Sequence, residues 1–375
     1  MASPKTSSKD KISIFHVVSN KKWTGAEQYT YDLVSELRHD QRYYVEVVCR
    51  KNDAVLKPNR TLEVPVSILP LKGITDIDSP VRFARLLRKG RNVVHVHSFK
   101  DAFMAVMARR ISENPATRIV ISVHGVYIPK KNYIYRKLYK SIDCFVFASQ
   151  MSMNAFLMEN AELAGRCKVV RESIAPIPEG DSIEPLRKQL QMSAGQVLLM
   201  YHGRLAPEKG LDVLLQAVAQ LDKQSYKLVI IGEGKSKYVT QLKGFILANQ
   251  LAQNVKFLGF RERILDYVRQ CDIGVLPSTQ REVLGMANLE YMKEGRPHIS
   301  TNNGAQLEYV HDGENGILVD PGNQYALAVA IKSLIDDPAR RAALGRQAQR
   351  DFDALLNYDI FYRGISDLYQ GLFVR

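Results

Sequence analysis

The stretch VLLMYHGRLAPEKG, residues 197–210, indicates which kind of fold this sequence encodes. It opens with an apolar run, turns at Gly203 and continues through a basic loop into an amphipathic segment with Leu211, Leu214 and Leu215 on one side. A short apolar run followed by an amphipathic segment is typical of a parallel sheet whose strands are connected by helices. We therefore expect a strand, a polar loop and a helix in this order.

The same alternation runs along the chain on both sides of this stretch. Strands are expected in the second half at residues 197–203, 227–232, 255–260, 273–277, 298–301 and 316–319. In the first half they are expected at residues 12–18, 45–48, 64–69, 93–96, 119–123, 144–148 and 168–170. Residues 173–180 contain two prolines and a glycine without a regular period, which indicates a linker. The pattern predicts an α/β fold of two Rossmann-like, doubly wound domains, residues 1–176 and 177–357.

The tail of the chain predicts two further helices. Residues 324–349 have Ala and Leu at helical spacing and are expected to form one long helix. Residues 358–375 carry an aromatic stripe that includes Phe361, Tyr362 and Tyr369. Such a stripe is typical of a helix packed on a core, so we expect this last helix to pack on one of the domains.

Composition excludes several classes of protein. The chain has 375 residues, 46% hydrophobic and 24% charged, as in globular proteins rather than collagen-like, coiled-coil or largely disordered chains. No run approaches the roughly 20 apolar residues of a membrane-spanning helix, and the opening MASPKTSSKDK lacks the apolar part of a signal peptide. The four cysteines form no C-x-x-C pair, so neither a disulfide framework nor a zinc knuckle is indicated. We expect a cytoplasmic protein, free or peripheral on the cytoplasmic face of the membrane.

Positive charge is concentrated in the first half. The chain has a net charge of +13, and residues 1–180 contain 29 basic and 17 acidic residues, a net of +12. Such a field attracts anionic small molecules, anionic lipid headgroups and nucleic acid alike.

Residues 130–140 carry much of this charge, with three tyrosines interspersed; their basic members are Lys130, Lys131, Arg136, Lys137 and Lys140. Basic and aromatic residues at helical spacing predict a helix that lies on an anionic membrane, and a solvated basic helix is the alternative. Nucleic acid is not expected as a partner because no nucleic-acid-binding motif accompanies the charge.

The loop after residues 197–203 has the features of an anion site. In a doubly wound sheet, ligands bind at the carboxyl ends of the strands, and this end carries Gly203, Arg204 and Lys209 before a helix begins. Arg204 is suited to a two-pronged hydrogen bond with phosphate, Lys209 supplies a movable charge, and the helix start offers free N–H groups. A solvated basic loop that caps a helix is the alternative.

A second polar cluster follows the strand expected at 273–277. Glu282 and Glu290 are eight residues apart, or about 12 Å if all eight were helical, too far to act on one atom as acid and base. They are better placed to hold two parts of one extended ligand. Glu290 lies on an apolar helix face, where a carboxylate is costly to bury without a partner. Solvated carboxylates are the alternative for either residue alone.

These residues resemble the nucleotide-sugar half of the retaining glycosyltransferases of family 4, which have the GT-B architecture. The resemblance rests on R-x-x-x-E-K-G at 204–210 and on P-S-x-x-x-E-x-L-G-x-x-x-x-E at 277–290, with Gly232-Glu-Gly234 as a further match. It covers essentially the whole chain and is most specific in the second half. Two departures are Ala305, where the family has glycine, and Leu284, where it has an aromatic residue.

The resemblance implies a role for each matched residue. Glu282 would contact the donor sugar, Glu290 the nucleotide ribose, and Arg204 and Lys209 the diphosphate, beside Gly203 and Gly232. The main-chain N–H groups of Val283, Leu284 and Gly285 would donate to sugar or phosphate, and the base would lie near Phe260 and Arg261. The family fold also implies a nucleotide-sugar cleft between the domains and a last helix, about 358–375, that packs back on the first domain. No metal or other cofactor is expected, because the cationic groups offset the charge of the leaving diphosphate.

The first half offers fewer candidates. Gly25, in W-T-G-A-E at 23–27, resembles the family's glycine-rich loop, and a tight turn without ligand is the alternative. His124 follows an expected strand where the family has a histidine beside the donor sugar, and it is the first-half candidate for catalysis. Glu27 and His97 are candidates for binding the acceptor. His16 lies inside a strand and is expected in the core.

The sequence therefore predicts a retaining glycosyltransferase that moves a hexose from a nucleoside-diphosphate sugar, UDP-linked or GDP-linked, to a hydroxyl of a glycan or glycolipid. Surface polysaccharide or lipopolysaccharide synthesis is the expected setting. Two alternatives remain at this point: a GT-B sugar-nucleotide epimerase, and a non-catalytic module that binds a sugar nucleotide or nucleic acid.

Overall fold

The structure is a computed structural model that describes residues 11–73, 75–125, 130, 132–176 and 183–374. The chain divides into two compact units. Unit 1 comprises Met1–Glu172 and Phe361–Arg375, and unit 2 comprises Ser173–Ile360. The boundaries expected from the sequence were 176/177 and 357/358. Part of the expected linker, residues 177–180, lies outside the described residues.

A parallel sheet forms the centre of unit 1. Its strands in the described residues are β1 (Ile12–Val18), β2 (Tyr43–Cys49), β3 (Val66–Ile68), β4 (Arg91–Val96), β5 (Thr117–Val123), β6 (Cys144–Phe147) and β7 (Cys167–Val169). They lie in the order β3-β2-β1-β4-β5-β6-β7. The helices of this unit are α1 (Gly25–Leu37), α2 (Asp53–Arg60), α3 (Asp78–Leu86), α4 (Phe99–Ser112), α5 (Tyr133–Lys140) and α6 (Gln150–Leu157), followed by a 3-10 turn at Ala161–Arg166.

Unit 2 repeats this plan. Its strands are β8 (Val197–His202), β9 (Tyr226–Ile231), β10 (Val255–Gly259), β11 (Ile273–Leu276), β12 (His298–Thr301) and β13 (Ile317–Val319), in the order β10-β9-β8-β11-β12-β13. Its helices are α7 (Leu186–Gln189), α8 (Leu211–Val218), α9 (Ser236–Ala248), α10 (Ile264–Val268), α11 (Met286–Lys293), α12 (Gln324–Asp336) and α13 (Pro338–Leu355), with 3-10 turns at Pro207–Lys209 and Ala305–Glu308. Helix α14 (Tyr358–Gly371) ends the chain. Within the described ranges, no helix combines the length and the apolar composition that crossing a membrane requires.

Strand burial explains why the apolar runs located the strands. Every residue of β8 is buried, as expected for a central parallel strand with helices on both faces. Each of the thirteen expected strands is present, with ends that differ by a few residues at most. The two parallel α/β sheets confirm the predicted GT-B fold class of two Rossmann-like domains.

The strand order determines where each unit can bind a ligand. In unit 1 the chain leaves β1 toward β2 and β3 and then returns to β4 on the other side; in unit 2 it leaves β8 toward β9 and β10 and returns to β11. The carboxyl ends of the two strands at such a reversal open a crevice, which is the usual ligand site of these sheets. The residues after β1, β4, β8 and β11 therefore lie at the expected ligand crevices.

The prediction of a single long helix at residues 324–349 is wrong. The structure has two helices there, α12 and α13, and α13 extends to Leu355. Asp337 separates them with non-helical backbone, and its side chain accepts a hydrogen bond from the N–H of Arg340. Pro338 has no N–H and disfavours helical backbone in the preceding residue, so it begins a new helix instead of continuing the first.

The aromatic stripe of α14 is part of the core, as the sequence predicts. From Phe361 onward, the chain belongs to unit 1. Phe361, Ile365 and Tyr369 are buried, and Phe361 makes an edge contact with Tyr29 at 5.4 Å between ring centroids. The last helix therefore completes the core of unit 1.

Candidate active site

The loops after β8 and β11 bring a lysine and a glutamate into contact. The Lys209 ammonium donates to Glu282 Oε1 at 2.6 Å, and the Ser278 hydroxyl donates to the same oxygen. Both charged side chains are largely buried, with 23% and 12% of their surface exposed. Because β8 and β11 are neighbours at the chain reversal of unit 2, this ion pair lies at the expected ligand crevice of the sheet.

Two glycines allow these loops to approach each other. Gly210 has a left-handed φ of +66°, and a Cβ added to it would lie 2.0 Å from the Pro277 carbonyl oxygen. A Cβ on Gly304 would lie 2.6 Å from the Glu282 nitrogen. The neighbouring Ala305, where the family has glycine, is buried and donates its N–H to the Glu282 carbonyl at 2.9 Å. The backbone that carries Lys209 and Glu282 is therefore tightly packed.

Arg204 and the glycines of the predicted diphosphate site lie at the same edge of the sheet. The Arg204 guanidinium is mostly exposed and pairs with Glu208, four residues further along the chain, at 2.8 Å. Gly203 and Gly232 both have positive φ, and a Cβ on Gly232 would lie 1.9 Å from the Gly203 carbonyl oxygen. The loops after β8 and β9 therefore touch through glycine backbone, beside the Arg204–Glu208 pair.

Glu290 has a buried partner that the sequence analysis missed. Its carboxylate is hydrogen-bonded to Nε2 of His202, the last residue of β8, and 17% of its side-chain surface is exposed. His202 Nδ1 lies 2.9 Å from the Tyr291 hydroxyl, which itself donates to the Met200 carbonyl. The available signal was a histidine at the carboxyl end of a predicted strand. The hydrogen bond with His202 offsets the free-energy cost of burying the Glu290 carboxylate among apolar side chains.

The segment between Glu282 and Glu290 is only partly helical. Helix α11 begins at Met286, with Gly285 in left-handed conformation at its N-cap. Within the described residues, the N–H groups of Val283, Leu284 and Gly285 donate no hydrogen bond to the protein. The buried Leu284 instead accepts a bond at its carbonyl from the Tyr309 hydroxyl. These N–H groups lie at and just before the N-cap of α11 and are available as donors to an anion.

An exposed aromatic ring follows β10 at the carboxyl edge of the unit 2 sheet. The Phe260 side chain is 61% exposed. The Arg261 guanidinium donates to the Phe260 carbonyl at 2.9 Å and lies 5.9 Å from the centroid of the Tyr267 ring. An exposed flat ring beside a polar crevice is suited to stacking against a planar ligand.

In unit 1, four histidines that lie in or follow β1, β4 and β5 form a connected group. His97 Nδ1 lies 3.0 Å from His124 Nε2, and His97 Nε2 lies 3.3 Å from His16 Nδ1. His95 Nδ1 lies 2.5 Å from the Tyr369 hydroxyl of α14, which is also 3.4 Å from His16 Nε2. His16 is fully buried, as the sequence predicts.

Burial keeps these histidines neutral near pH 7. It lowers the pKa of His124 to about 4 and that of His16 to about 3, and it lowers the pKa of His97 well below its usual value. A neutral imidazole has one N–H donor and one acceptor nitrogen. The bonds from His16 through His97 to His124 must therefore all run in the same direction, so that His97 fixes which nitrogen of His124 carries the proton.

The histidine group also has the spacing of metal ligands. Among the described residues, nitrogens of His16, His95 and His97 lie within 4.8 Å of one another. All six of their ring nitrogens have hydrogen-bond partners: the other histidines, Tyr369, and Ser122, which lies 2.8 Å from His95. This bonding is that of a satisfied polar core, and the expected absence of a metal stays a prediction.

The remaining unit 1 candidates have structural partners. The Glu27 carboxylate is buried and accepts from the Thr24 N–H at 3.0 Å and from the Thr24 hydroxyl, forming a capping box at the start of α1. Both ring nitrogens of His97 are used within the histidine group. Acceptor binding by Glu27 and His97 stays a prediction, and the structure gives both residues another use. A Cβ on Gly25 would meet nothing within 4 Å, so packing within unit 1 does not require glycine there.

The basic segment 130–140 contains a helix, as predicted. Helix α5 exposes Tyr133 and Ile134, with 76% and 60% of their surface accessible, beside Arg136, Lys137 and Lys140. Its Leu138 and Tyr139 are buried in unit 1. Lys130 lies 4.9 Å from the centroid of the Tyr135 ring, and Lys131 lies outside the described residues. Membrane contact stays a prediction.

Two protein-family models match this chain, one in each unit. The model "Glycosyltransferase Family 4" matches residues 23–170, and the model "Glycosyl transferases group 1" matches residues 182–351. Together with the two parallel sheets, these matches support a GT-B glycosyltransferase of the family 4 type.

Individual relatives agree with this class. The chain is 27% identical over 309 residues to the GDP-mannose-dependent monoacylated alpha-(1-6)-phosphatidylinositol monomannoside mannosyltransferase of Corynebacterium glutamicum, covering 77% of this chain and 79% of the relative. It is 28% identical over 186 residues to the lipopolysaccharide core biosynthesis glycosyltransferase LpsE of Rhizobium meliloti, covering 50% and 52%. In fold it is similar to HepE of Anabaena, solved with UDP-glucose, with a TM-score of 0.80, 23% identity and coverage of 96% of this chain and 99% of HepE.

Proposed function

We propose that the protein transfers a hexose from a nucleoside-diphosphate sugar to a hydroxyl of a glycan or glycolipid acceptor, with retention of the anomeric configuration. The observation that carries this proposal is the Lys209–Glu282 ion pair at the carboxyl ends of β8 and β11, beside the free N–H groups at the start of α11. It places a cation, a carboxylate and anion-binding backbone in one crevice, which are the groups that a sugar diphosphate requires.

The diphosphate, sugar, ribose and base of the donor would each contact different residues of unit 2. Lys209 and the N–H groups of Val283 and Leu284 bind the diphosphate, Glu282 accepts hydrogen bonds from sugar hydroxyls, and Glu290, oriented by His202, accepts them from the ribose. The exposed Phe260 ring is available to the base. The relative from C. glutamicum is named as GDP-mannose-dependent and HepE was solved with UDP-glucose, so two related proteins support a nucleoside-diphosphate hexose as the donor class.

In the proposed step, the bond between the anomeric carbon and the diphosphate oxygen breaks, and its electron pair leaves with the diphosphate. The acceptor oxygen forms the new bond on the same face, and its proton passes to an oxygen of the departing phosphate. Lys209 and Arg204 stabilise the charge that develops on the leaving group, in a crevice where such charges interact strongly. Because these cations are already present, we expect no divalent metal to be needed.

His124 is proposed to bond a donor-sugar hydroxyl from unit 1. Its Nε2 is used by His97, so Nδ1 is the nitrogen left for a ligand. A neutral ring with a fixed tautomer presents the same hydrogen-bonding character throughout the reaction. Because His97 is hydrogen-bonded to the His124 ring, we propose that His97 orients this ring.

The acceptor is proposed to be part of a surface glycan or glycolipid. The relatives from C. glutamicum and R. meliloti are named for a phosphatidylinositol mannoside and for lipopolysaccharide core. Helix α5 presents exposed Tyr133 and Ile134 among basic residues, a composition suited to an anionic membrane surface. Flotation with vesicles should depend on anionic lipid and weaken in the variant R136Q/K137Q/K140Q; flotation that is independent of lipid charge would contradict this part.

A donor panel tests the function. Thermal unfolding with UDP, GDP and ADP sugars should show one donor that raises the melting temperature, because a ligand at a hundred times its Kd adds about 2.7 kcal/mol. That donor should be hydrolysed slowly without acceptor, at a rate that EDTA does not change, and the released sugar should keep its anomeric configuration by NMR. Conversion of the donor sugar without release would indicate an epimerase, and binding without any turnover would indicate a non-catalytic module.

A further inference from the structure

A strongly basic pocket lies in unit 1, apart from the residues assigned above. Its volume is about 560 Å³, and five of its nine lining residues are cationic: Lys21, Arg50, Lys51, Lys72 and Arg82. The other four are apolar or carry an amide, and none is acidic. The volume lies within the range of about 300–1,000 Å³ that is usual for small-molecule sites.

The strand order of unit 1 creates this concentration of charge. Strands β1, β2 and β3 are neighbours and parallel, so their carboxyl ends share one edge of the sheet. Lys21 follows β1, Arg50 and Lys51 follow β2 directly, and Lys72 follows β3. Residues that are far apart in sequence therefore converge on one concave surface.

Arg50 is held in place by the backbone of the next loop. Its Nη2 donates to the carbonyl oxygens of Pro70 and Leu71, each at 3.2 Å. Leu71 is buried and has a left-handed φ of +46°, an uncommon conformation for a residue with a branched apolar side chain. The guanidinium is thus fixed between the loops after β2 and β3 and keeps its remaining N–H groups for another partner.

Within the described part of the chain, two carboxylates lie near the pocket cations: Asp78, and Asp76, which accepts the main-chain N–H of Lys72 at 2.7 Å. Arg82 pairs with Asp78 at 3.3 Å, and both side chains are about half exposed. Lys21, Arg50, Lys51 and Lys72 form no ion pair with a described residue. Like charges that line a concavity repel one another and concentrate the field, so the site favours a multivalent anion.

We propose that this pocket binds a phosphoryl group carried by the acceptor. The inference rests on the proposed glycosyl transfer and narrows its acceptor to a phosphate-bearing glycan or glycolipid. A fixed guanidinium and mobile ammonium groups are the combination that recognises phosphate, the first by paired hydrogen bonds and the others as point charges. The pocket is open to solvent, and its volume of about 560 Å³ suits one small group such as a single headgroup.

The test is a binding experiment with glucose 6-phosphate as the probe and glucose as the uncharged control. Trp23 is the only tryptophan of the chain and lies two residues after Lys21, so a change in its fluorescence is the readout chosen for binding. The probe should bind at least tenfold more tightly than glucose, and K21Q/R50Q/K51Q should weaken it at least tenfold. The matched variant R88Q/K89Q/R110Q removes three exposed cations of unit 1 that do not line the pocket, and it should bind as the wild type does.

Two further binding measurements distinguish this pocket from the proposed donor site. Lys209→Ala should leave the Trp23 response unchanged, and K21Q/R50Q/K51Q should keep the melting-temperature rise caused by the donor. Equal binding of glucose and glucose 6-phosphate, wild-type affinity in K21Q/R50Q/K51Q, or loss of the donor response in that variant would each overturn the proposal. If the wild type turns over no donor, the proposed transfer fails, while the fluorescence arm still tests the pocket. Displacement of the probe by phosphatidylglycerol vesicles assigns the phosphate to a lipid-borne acceptor, and its persistence assigns it to a soluble one.

Discussion

At the residue scale, the hydrogen bond from His202 controls how Glu290 is presented to a ligand. The carboxylate is largely buried, and His202 is itself held by the Tyr291 hydroxyl. A side chain held from behind in this way keeps one orientation and loses little freedom when a ligand binds. His202 is therefore a positioning residue in the proposed donor site.

Replacing His202 with leucine should raise the donor KM about tenfold or more and change kcat less. A hydrogen bond to a charged group contributes about 1.5–3 kcal/mol, and here it acts on binding of the ribose. Steady-state kinetics with varied donor checks this, and His202→Gln, which restores a donor group, should recover part of the affinity. The control is His311→Leu at an exposed position. An unchanged KM in His202→Leu would contradict the role.

A second residue prediction concerns His124 and acid stability. Its pKa is about 4 in the folded protein, below the ordinary value of about 6.5, so between these pH values the unfolded chain binds a proton that the folded chain does not. Stability should therefore fall as pH falls from 6.5 toward 4, by up to about 1.4 kcal/mol per unit of pKa displacement. His124→Gln lacks this contribution, and its loss of stability in urea unfolding should be shallower.

The comparison variant is His39→Gln, whose side chain lies on the surface of unit 1. It should follow the wild-type pH dependence. Identical slopes for His124→Gln and the wild type between pH 6.5 and 4 would show that the His124 ring is not kept neutral by the fold.

The sequence predicted individual residues of the site but not the contacts between them. Lys209 and Glu282 were assigned from their motifs, yet they are 73 residues apart, and only the pairing of β8 with β11 brings them together. The chain of histidines has the same origin, because His16, His97 and His124 follow or lie in three different strands. Side chains that meet across a parallel sheet leave no local pattern in the sequence.

At the scale of elements, Gly210 is where the loop after β8 fits against the loop after β11. Its φ is left-handed, and an added Cβ would meet the rigid Pro277 backbone. Gly210 is also the N-cap of the helix that follows, α8, which begins at Leu211. The geometry of the Lys209–Glu282 ion pair thus depends on the backbone at the junction between the loop after β8 and helix α8.

Gly210→Ala should destabilise the protein by at least about 2 kcal/mol, because the left-handed conformation alone costs about 1–2 kcal/mol and the contact with Pro277 adds to it. Donor turnover should fall as well, since Lys209 is displaced from Glu282. Chemical denaturation measures the first effect. Gly244→Ala, inside α9 with open space around the added Cβ, is the matched control and should be neutral or stabilising by up to about 1 kcal/mol. Equal stability of Gly210→Ala and the wild type would contradict the packing argument.

The elements themselves were largely predictable. Buried parallel strands are continuous apolar runs bounded by polar loops, so their positions follow from the sequence. The exception was the helix expected at 324–349, where the apolar period continues across Asp337 and Pro338 and hides the break. Periodicity records which face is buried and does not record where the backbone hydrogen bonds stop.

At the scale of the whole molecule, the chain ends in the unit in which it began. Tyr369 of α14 is fully buried in unit 1 and bonds to His95 of β4. Its ring also makes an edge contact with Tyr43 of β2 at 6.2 Å between centroids. Unit 1 is therefore completed only when the last residues of the chain are in place.

Tyr369→Ala should destabilise unit 1 by about 3–5 kcal/mol, the usual cost of removing a buried aromatic side chain. Hydrogen exchange should then quicken in β1 and β4 more than in β8 and β11 of unit 2. Tyr325→Ala, at an exposed position of unit 2, is the control. Equal acceleration in both sheets, or none, would contradict the assignment of α14 to unit 1.

The central claim is that the crevice at the ends of β8 and β11 binds the diphosphate of a nucleotide sugar. Calorimetric titration of Lys209→Ala with the nucleoside diphosphate that stabilises the wild type most tests it directly, with Lys256→Ala, exposed on β10, as the control. We predict that Lys209→Ala binds at least tenfold more weakly than the wild type and that Lys256→Ala binds equally well. Wild-type affinity in a folded Lys209→Ala variant would contradict the claim.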